Sequence, residues 1–349
     1  VFQKAGAASP TRSTLDPDEA ARADRMLEVD RPARPGARQL LYVGNSQSMA
    51  IMDAEPGDLT SPQWLQLLLD RSGPPPVDVR IGSQPNLTQT ESLVLLVAAV
   101  QQGRPPLDLF LGAQVLEEYR DLGVREEIAR RVADPAVAAV LARLVRDNPD
   151  LPAACAALEP LLRQRHEGGE RPARGWAARL DRAVNGAAER LPLFAERREL
   201  RTHIGLSFYA WRNRLLGIHS STARPVPEAT FRSSLELLEL ILRYARERQI
   251  GVALYLAPIR PIQPNPNLAG DVARFRRELP GLAARYGVAC VDYVDLVPEA
   301  LWTNYPDEVE GTSGERDFAH FTGPAHRRLA EALRRDLAAW LGAPAADAP

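Results

Sequence analysis

Short, mostly apolar runs alternate along this chain with longer stretches whose apolar residues recur every three to four positions. Residues 39–43, 107–111, 251–257 and 288–293 are runs of the first kind, and residues 77–81 alternate apolar and polar positions. The first pattern fits strands buried on both faces, the second a strand with one polar side. Residues 61–70, 91–102, 231–248, 271–286 and 323–341 carry helical spacing. Strand signals separated by helix signals predict an α/β fold, a parallel sheet of about five strands covered by helices. Gly103 with Pro105 beyond it is the expected order for a helix stop.

From 124 to 230 the rhythm changes. Segments 124–146, 151–165 and 176–190 are rich in Ala, Leu and Arg at helical spacing with no strand between them, and 163–175 reads as a loop. This predicts a helical insertion, a separate lobe, a lid or a partner surface, set between core segments 38–123 and 231–341. Residues 1–37 are polar and Pro/Arg-rich, with a short helix expected around 17–29 behind Asp16, and 342–349 form a tail. The start at Val1 and this lead-in read as a linker behind a removed signal peptide or anchor.

Composition narrows the function classes. Apolar residues make up 45% and charged residues 25%, ordinary globular values. The net charge of -2 gives no electrostatic case for nucleic acid. Cys155 and Cys290 sit in apolar contexts as small hydrophobes, and neither Cys-x-x-Cys nor paired His spacing suggests a metal site. No cofactor is implied.

Two motifs carry chemistry. Leu40-Leu41-Tyr42-Val43-Gly44-Asn45-Ser46 breaks a strand at a glycine and presents a serine at the edge where ligands bind in open α/β sheets. Asp317-Phe318-Ala319-His320, just ahead of the last helix, sets a carboxylate three residues before a histidine. As one helical turn or a tight loop, it would let Asp317 hold one ring nitrogen of His320 and leave the other for Ser46. Each half also has a plain reading, a helix cap for Ser46 and a surface ion pair for Asp317 and His320. His326, inside the last helix, reads as packed or solvated.

The order Ser46…Asp317-x-x-His320 around five strand signals resembles the SGNH (GDSL-type) hydrolase superfamily, whose first block is Gly-Asp-Ser and whose last is Asp-x-x-His. The resemblance covers about 38–123 and 231–341. It implies a flavodoxin-like three-layer fold, a catalytic Ser46, Asp317 and His320, and an oxyanion site from Ser46, a second-block glycine and a third-block Gly-x-Asn. Gly82 is the candidate glycine, with Ser83 or Asn86 as substitutes, and Gln114 stands where the asparagine belongs. These departures point to the extracytoplasmic branch that modifies polysaccharides and teichoic acids. That branch implies an acylated carbohydrate or envelope polymer as substrate and a membrane-bound acyltransferase as partner.

Arg260, after the fourth strand, is a candidate anion or sugar contact, and Trp302 a candidate sugar platform with Tyr305 beside it; a rigid loop and core packing are the alternatives. The Phe208, Tyr209 and Trp211 group reads as packing of the insertion on the core. Two further readings stay open: an SGNH-like module that binds a glycan or recruits an acyltransferase without chemistry, and an unrelated flavodoxin-like protein in which Ser46 and His320 never meet.

Overall fold

The computed structural model describes residues 34–166, 219–304 and 315–342, apart from 52–53, 55–56, 73–74, 85 and 103–105. The expected helices at 17–29 and 176–190, the Gly103 stop, Tyr305 and the Phe208, Tyr209 and Trp211 group lie outside these residues. The principal strands are β1 (Arg38–Val43), β2 (Val77–Ile81), β3 (Leu109–Gln114), β4 (Gly251–Leu256) and β5 (Ala289–Asp292). They form one all-parallel sheet in the order β2-β1-β3-β4-β5, the flavodoxin-like order. Tyr42 pairs with Ile81, Val43 with Gly112, and Gln114 with Leu256, so the strands' carboxyl ends share one edge.

The three central strands, β1, β3 and β4, are buried on both faces, which is why they read as nearly continuous apolar runs. Leu40, Tyr42, Leu111, Ala253 and Tyr255 face one layer, made by α2 (Ser61–Asp70) and α9 (Gly323–Asp336). Leu41, Val43, Phe110 and Leu254 face the other, which includes α3 (Gln89–Gln102), α7 (Glu228–Glu247) and α8 (Ala269–Arg285). The short α1 (Ser46–Met49) follows β1. The result is a three-layer α/β fold.

The expected insertion is, as far as residue 166, an extension of the second helical layer. It forms α4 (Glu126–Ala129), α5 (Pro135–Asp147) and α6 (Pro152–His166). Asp134 caps α5 by accepting from the Ala136 N–H, and Pro135 occupies its first turn. Val137, Leu141 and Leu158 are buried in the same apolar cluster as Leu96 and Leu238. The lead-in is docked at its described end: the Arg34 guanidinium reaches Asp78 at 2.5 Å and Asp70 at 2.6 Å.

Three boundaries differ from the pattern reading. Strand β3 runs on through Gly112 to Gln114, past the end that the pattern predicts at 111. A Cβ on Gly112 would lie 3.0 Å from Leu254 Cδ2 and 3.1 Å from Gln114 Nε2, so this glycine serves side-chain packing and not a turn. The last helix breaks after Asp336 and resumes as α10 (Ala338–Leu341). The Asp317–His320 segment is neither a helical turn nor a loop. It lies in β7 (Arg316–Phe321), antiparallel to β6 (Trp302–Asn304) in a separate two-stranded sheet.

His326 is packed, and it ties three elements together. Its Nδ1 accepts the Ser61 backbone N–H at 3.1 Å at the start of α2, so the ring proton sits on Nε2, 3.2 Å from the Ala50 carbonyl after α1. Complete burial pushes its pKa down to about 3. A histidine ordinarily near 6.5 therefore stays neutral in the fold while the unfolded chain protonates. Its contribution is complete above pH 6.5 and is lost as pH falls toward 3, by about 1.4 kcal/mol per pH unit. Urea unfolding between pH 7.5 and 4.5 should show a stability slope shallower by about that amount in His326→Gln.

Candidate active site

The serine turn is built by its own backbone needs. Asn45 is the N-cap of α1, its side chain accepting the Gln47 N–H at 2.9 Å. That cap role suits Asn as well as Asp, which accounts for the departure at this position. A Cβ on Gly44 would run into Ser48 Oγ and come within 2.9 Å of Ala113 Cβ, so only glycine lets the strand turn here. Beneath the turn the Tyr42 and Tyr255 hydroxyls meet at 2.5 Å, and burial pushes Tyr42 up to about 12. Gln47 donates to the Pro258 carbonyl at 3.0 Å, fastening α1 to the loop that leaves β4. Ser46 opens this helix and is 4% exposed.

Asp317 and His320 meet as a dyad. Asp317 is fully buried, and its Oδ2 accepts His320 Nδ1–H at 2.8 Å. Its Oδ1 accepts the backbone N–H groups of Ala319 at 2.7 Å and His320 at 3.1 Å. Two residues three apart on an extended strand would ordinarily face opposite ways; the Asp317 side chain instead bends back along its own backbone to bridge them. With the proton on Nδ1, the Nε2 lone pair of a neutral ring is directed to whatever lies beyond it. Helix α1 packs against β7, so the serine turn and the dyad are neighbours. No hydrogen bond joins Ser46 to His320; such contacts tighten in many sites only on substrate binding.

Of the expected oxyanion groups, Gly82 stands at the predicted place but donates its N–H to the Tyr42 carbonyl at 2.8 Å, continuing the β1–β2 ladder. That donor is engaged. Ser83 follows beside Gly44, whose carbonyl takes the Gln84 N–H at 3.0 Å, and the buried Ser83 hydroxyl has no partner among the described residues. Asn86 is exposed in a left-handed turn at φ 49°. Gln114 is 3% exposed at the end of β3.

Two expected substrate contacts take other roles. Arg260 is 4% exposed and all five of its N–H donors are used within the protein. Nε and one Nη2 hydrogen bind Glu299, Nη1 donates to the Thr303 carbonyl at 2.6 Å and the Asp317 carbonyl at 2.8 Å, and Nη2 also reaches Asn304 Oδ1 at 3.4 Å. The residue is a clamp that fixes β6 and β7, and so the dyad, to the exit of β4. Trp302 is buried, donates Nε1–H to the Val297 carbonyl at 3.1 Å and meets Phe321 edge-on at 5.5 Å, leaving no face for a sugar. A proline-rich loop gives no sign in sequence that its arginine points inward.

Among the described residues no group of three His, Cys, Asp or Glu side chains is placed to hold a metal ion, and no helix is long and apolar enough to cross a membrane. No protein-family model matches the chain, and no curated protein matches it in sequence. The class is therefore defined by geometry: a three-layer α/β fold with a buried Asp–His dyad beside a serine turn at the carboxyl edge of the sheet.

As a clamp, Arg260 is costly to remove: Arg260→Met takes away the guanidinium donors to the buried Thr303 and Asp317 carbonyls, each loss costing about 1–3 kcal/mol. Thermal or urea unfolding should show a loss of about 2–5 kcal/mol.

Proposed function

We propose that this protein is a serine-dependent ester hydrolase or O-acyltransferase of the SGNH type, handling acyl groups, O-acetyl above all, on a carbohydrate or cell-envelope polymer. The observation that carries the reading is the buried Asp317–His320 pair on a strand packed against the helix that Ser46 opens. In this mechanism Ser46 Oγ attacks the ester carbonyl while His320 Nε2 takes its proton, and Asp317 steadies the imidazolium. Collapse of the tetrahedral intermediate expels the sugar alkoxide, which receives that proton from His320. Water or a second hydroxyl then attacks the acyl-enzyme, His320 again removing the proton, and Ser46 leaves as the alcohol. The polymer substrate, the extracytoplasmic setting and a membrane-bound acyltransferase partner rest on the motif resemblance alone.

A second reading, a module of the same fold that binds a glycan or recruits the acyltransferase without chemistry, is favoured by one observation. Gly82, which should help hold the oxyanion, has its N–H on Tyr42. Removing one good oxyanion donor lowers rates by roughly 10²–10³.

Covalent labelling by a fluorophosphonate and hydrolysis of p-nitrophenyl acetate separate the two. The proposal expects Ser46 to be labelled, Ser46→Ala to lose both signals, and Asp317→Asn to slow hydrolysis by roughly 10²–10⁴. Equal slow rates in wild type and Ser46→Ala, with no label on Ser46, would establish the module instead.

A further inference from the structure

The third oxyanion candidate, Gln114, has a longer side chain than the asparagine of the motif it resembles, and a longer chain has more rotamers to restrain. Its carboxamide oxygen is held from two sides. Tyr119 Oη donates to Gln114 Oε1 at 2.6 Å, and Gln89 Nε2 donates to the same oxygen at 3.2 Å. Tyr119 belongs to a 3₁₀ turn, Leu116–Arg120, that follows β3. Its ring is fixed by Phe231 and Phe275, both at 5.3 Å, and the residue is fully buried. Gln89, in the first turn of α3, is held in turn by its contact with Glu118 Oε2 at 3.3 Å.

The opposite end of the amide has its own space. Gln114 Nε2 lies 3.1 Å from where a Cβ on Gly112 would be, so the missing side chain two residues earlier leaves room for the nitrogen. An amide whose oxygen already accepts two hydrogen bonds can offer only its N–H groups to anything further. What it can meet there is therefore an acceptor, such as a carbonyl oxygen gaining negative charge.

We propose that Tyr119 is a positioning residue for acyl transfer. By holding Gln114 Oε1, it fixes the amide with its N–H donors available to the acyl oxygen. This rests on the acyl-enzyme reading of Ser46. Tyr119 acts through Gln114 and touches no substrate, so its effect falls on the transition state and depends on the glutamine being there. A purely structural tyrosine would lack that dependence.

The test is a double-mutant cycle on the full chain, read by p-nitrophenyl acetate kinetics and by the rate of fluorophosphonate labelling. Tyr119→Phe keeps both ring contacts and should lower kcat and the labelling rate about 10-fold, below the 10²–10³ of losing a donor outright, with KM changed less than about 2-fold. In a Gln114→Ala background the same substitution should cost less than about 2-fold. Should Tyr119→Phe fail to fold, Gln89→Leu removes the other donor to the same oxygen and should give about a 3-fold loss that likewise vanishes without Gln114. Wild-type rates in the single variants, or equal losses in both backgrounds, overturn the inference while Ser46 still labels. A wild type without Ser46-dependent labelling overturns the acyl-enzyme reading and this inference with it.

Discussion

Parallel hydrogen bonding across the central sheet is the constraint on which everything else rests. With all five strands running the same way, Gly44, Gly82, Gln114 and Pro258 leave the sheet at one edge, and a helix must carry the chain back each time. Those helices bury both faces of the three central strands, which are therefore mostly apolar, and the polar chemistry gathers at their carboxyl ends and in the turns beyond them. The serine turn exists because β1 stops where Gly44 alone avoids Ser48 and Ala113.

Beyond that edge the protein buries more polar groups than a simple core would. Tyr42 against Tyr255, Gln114 under Tyr119 and Gln89, Asp317 with its three donors, and Arg260 with all five of its donors engaged lie close to the carboxyl ends of the strands. Burying such groups is unfavourable unless each is paired, and paired networks restrict the surrounding backbone to one arrangement. The Arg260 guanidinium shows the consequence. It joins three segments that are far apart in sequence, and one of its acceptors is the backbone carbonyl of the residue that orients His320.

Local patterns were legible wherever the physical cause was local. Two-sided burial made β1, β3 and β4 readable as apolar runs, and the break at Gly44 was readable as a strand turning directly into a helix, although the cap is Asn45 and not Ser46. The Asp317–His320 contact was readable from a spacing of three residues, although the chain makes it on an extended strand and not in the helical turn that such spacing suggests. Long-range competition for donors was not readable. Nothing near Gly82 announces that Tyr42 takes its N–H, nothing near Arg260 announces Glu299 and Asp317, and Trp302 looks the same in a sequence whether its ring packs on Phe321 or faces solvent. Gly112 misled for the same reason: its small size answers to Leu254 and Gln114 from across the sheet and from two residues on.

By itself the sequence determined the α/β class, the parallel alternation and the identity of the serine, aspartate and histidine as a candidate set, because periodicity and spacing are properties of neighbouring residues. The tertiary structure alone decided that the dyad sits on an antiparallel strand beside the serine helix and that Arg260 and Trp302 hold the frame. It alone decided, too, that the Gln114 carboxamide oxygen is held by Tyr119 and Gln89 and that the Gly82 N–H is taken by Tyr42. A hydrogen-bond donor has one destination at a time, and that destination is set by which segments fold against each other.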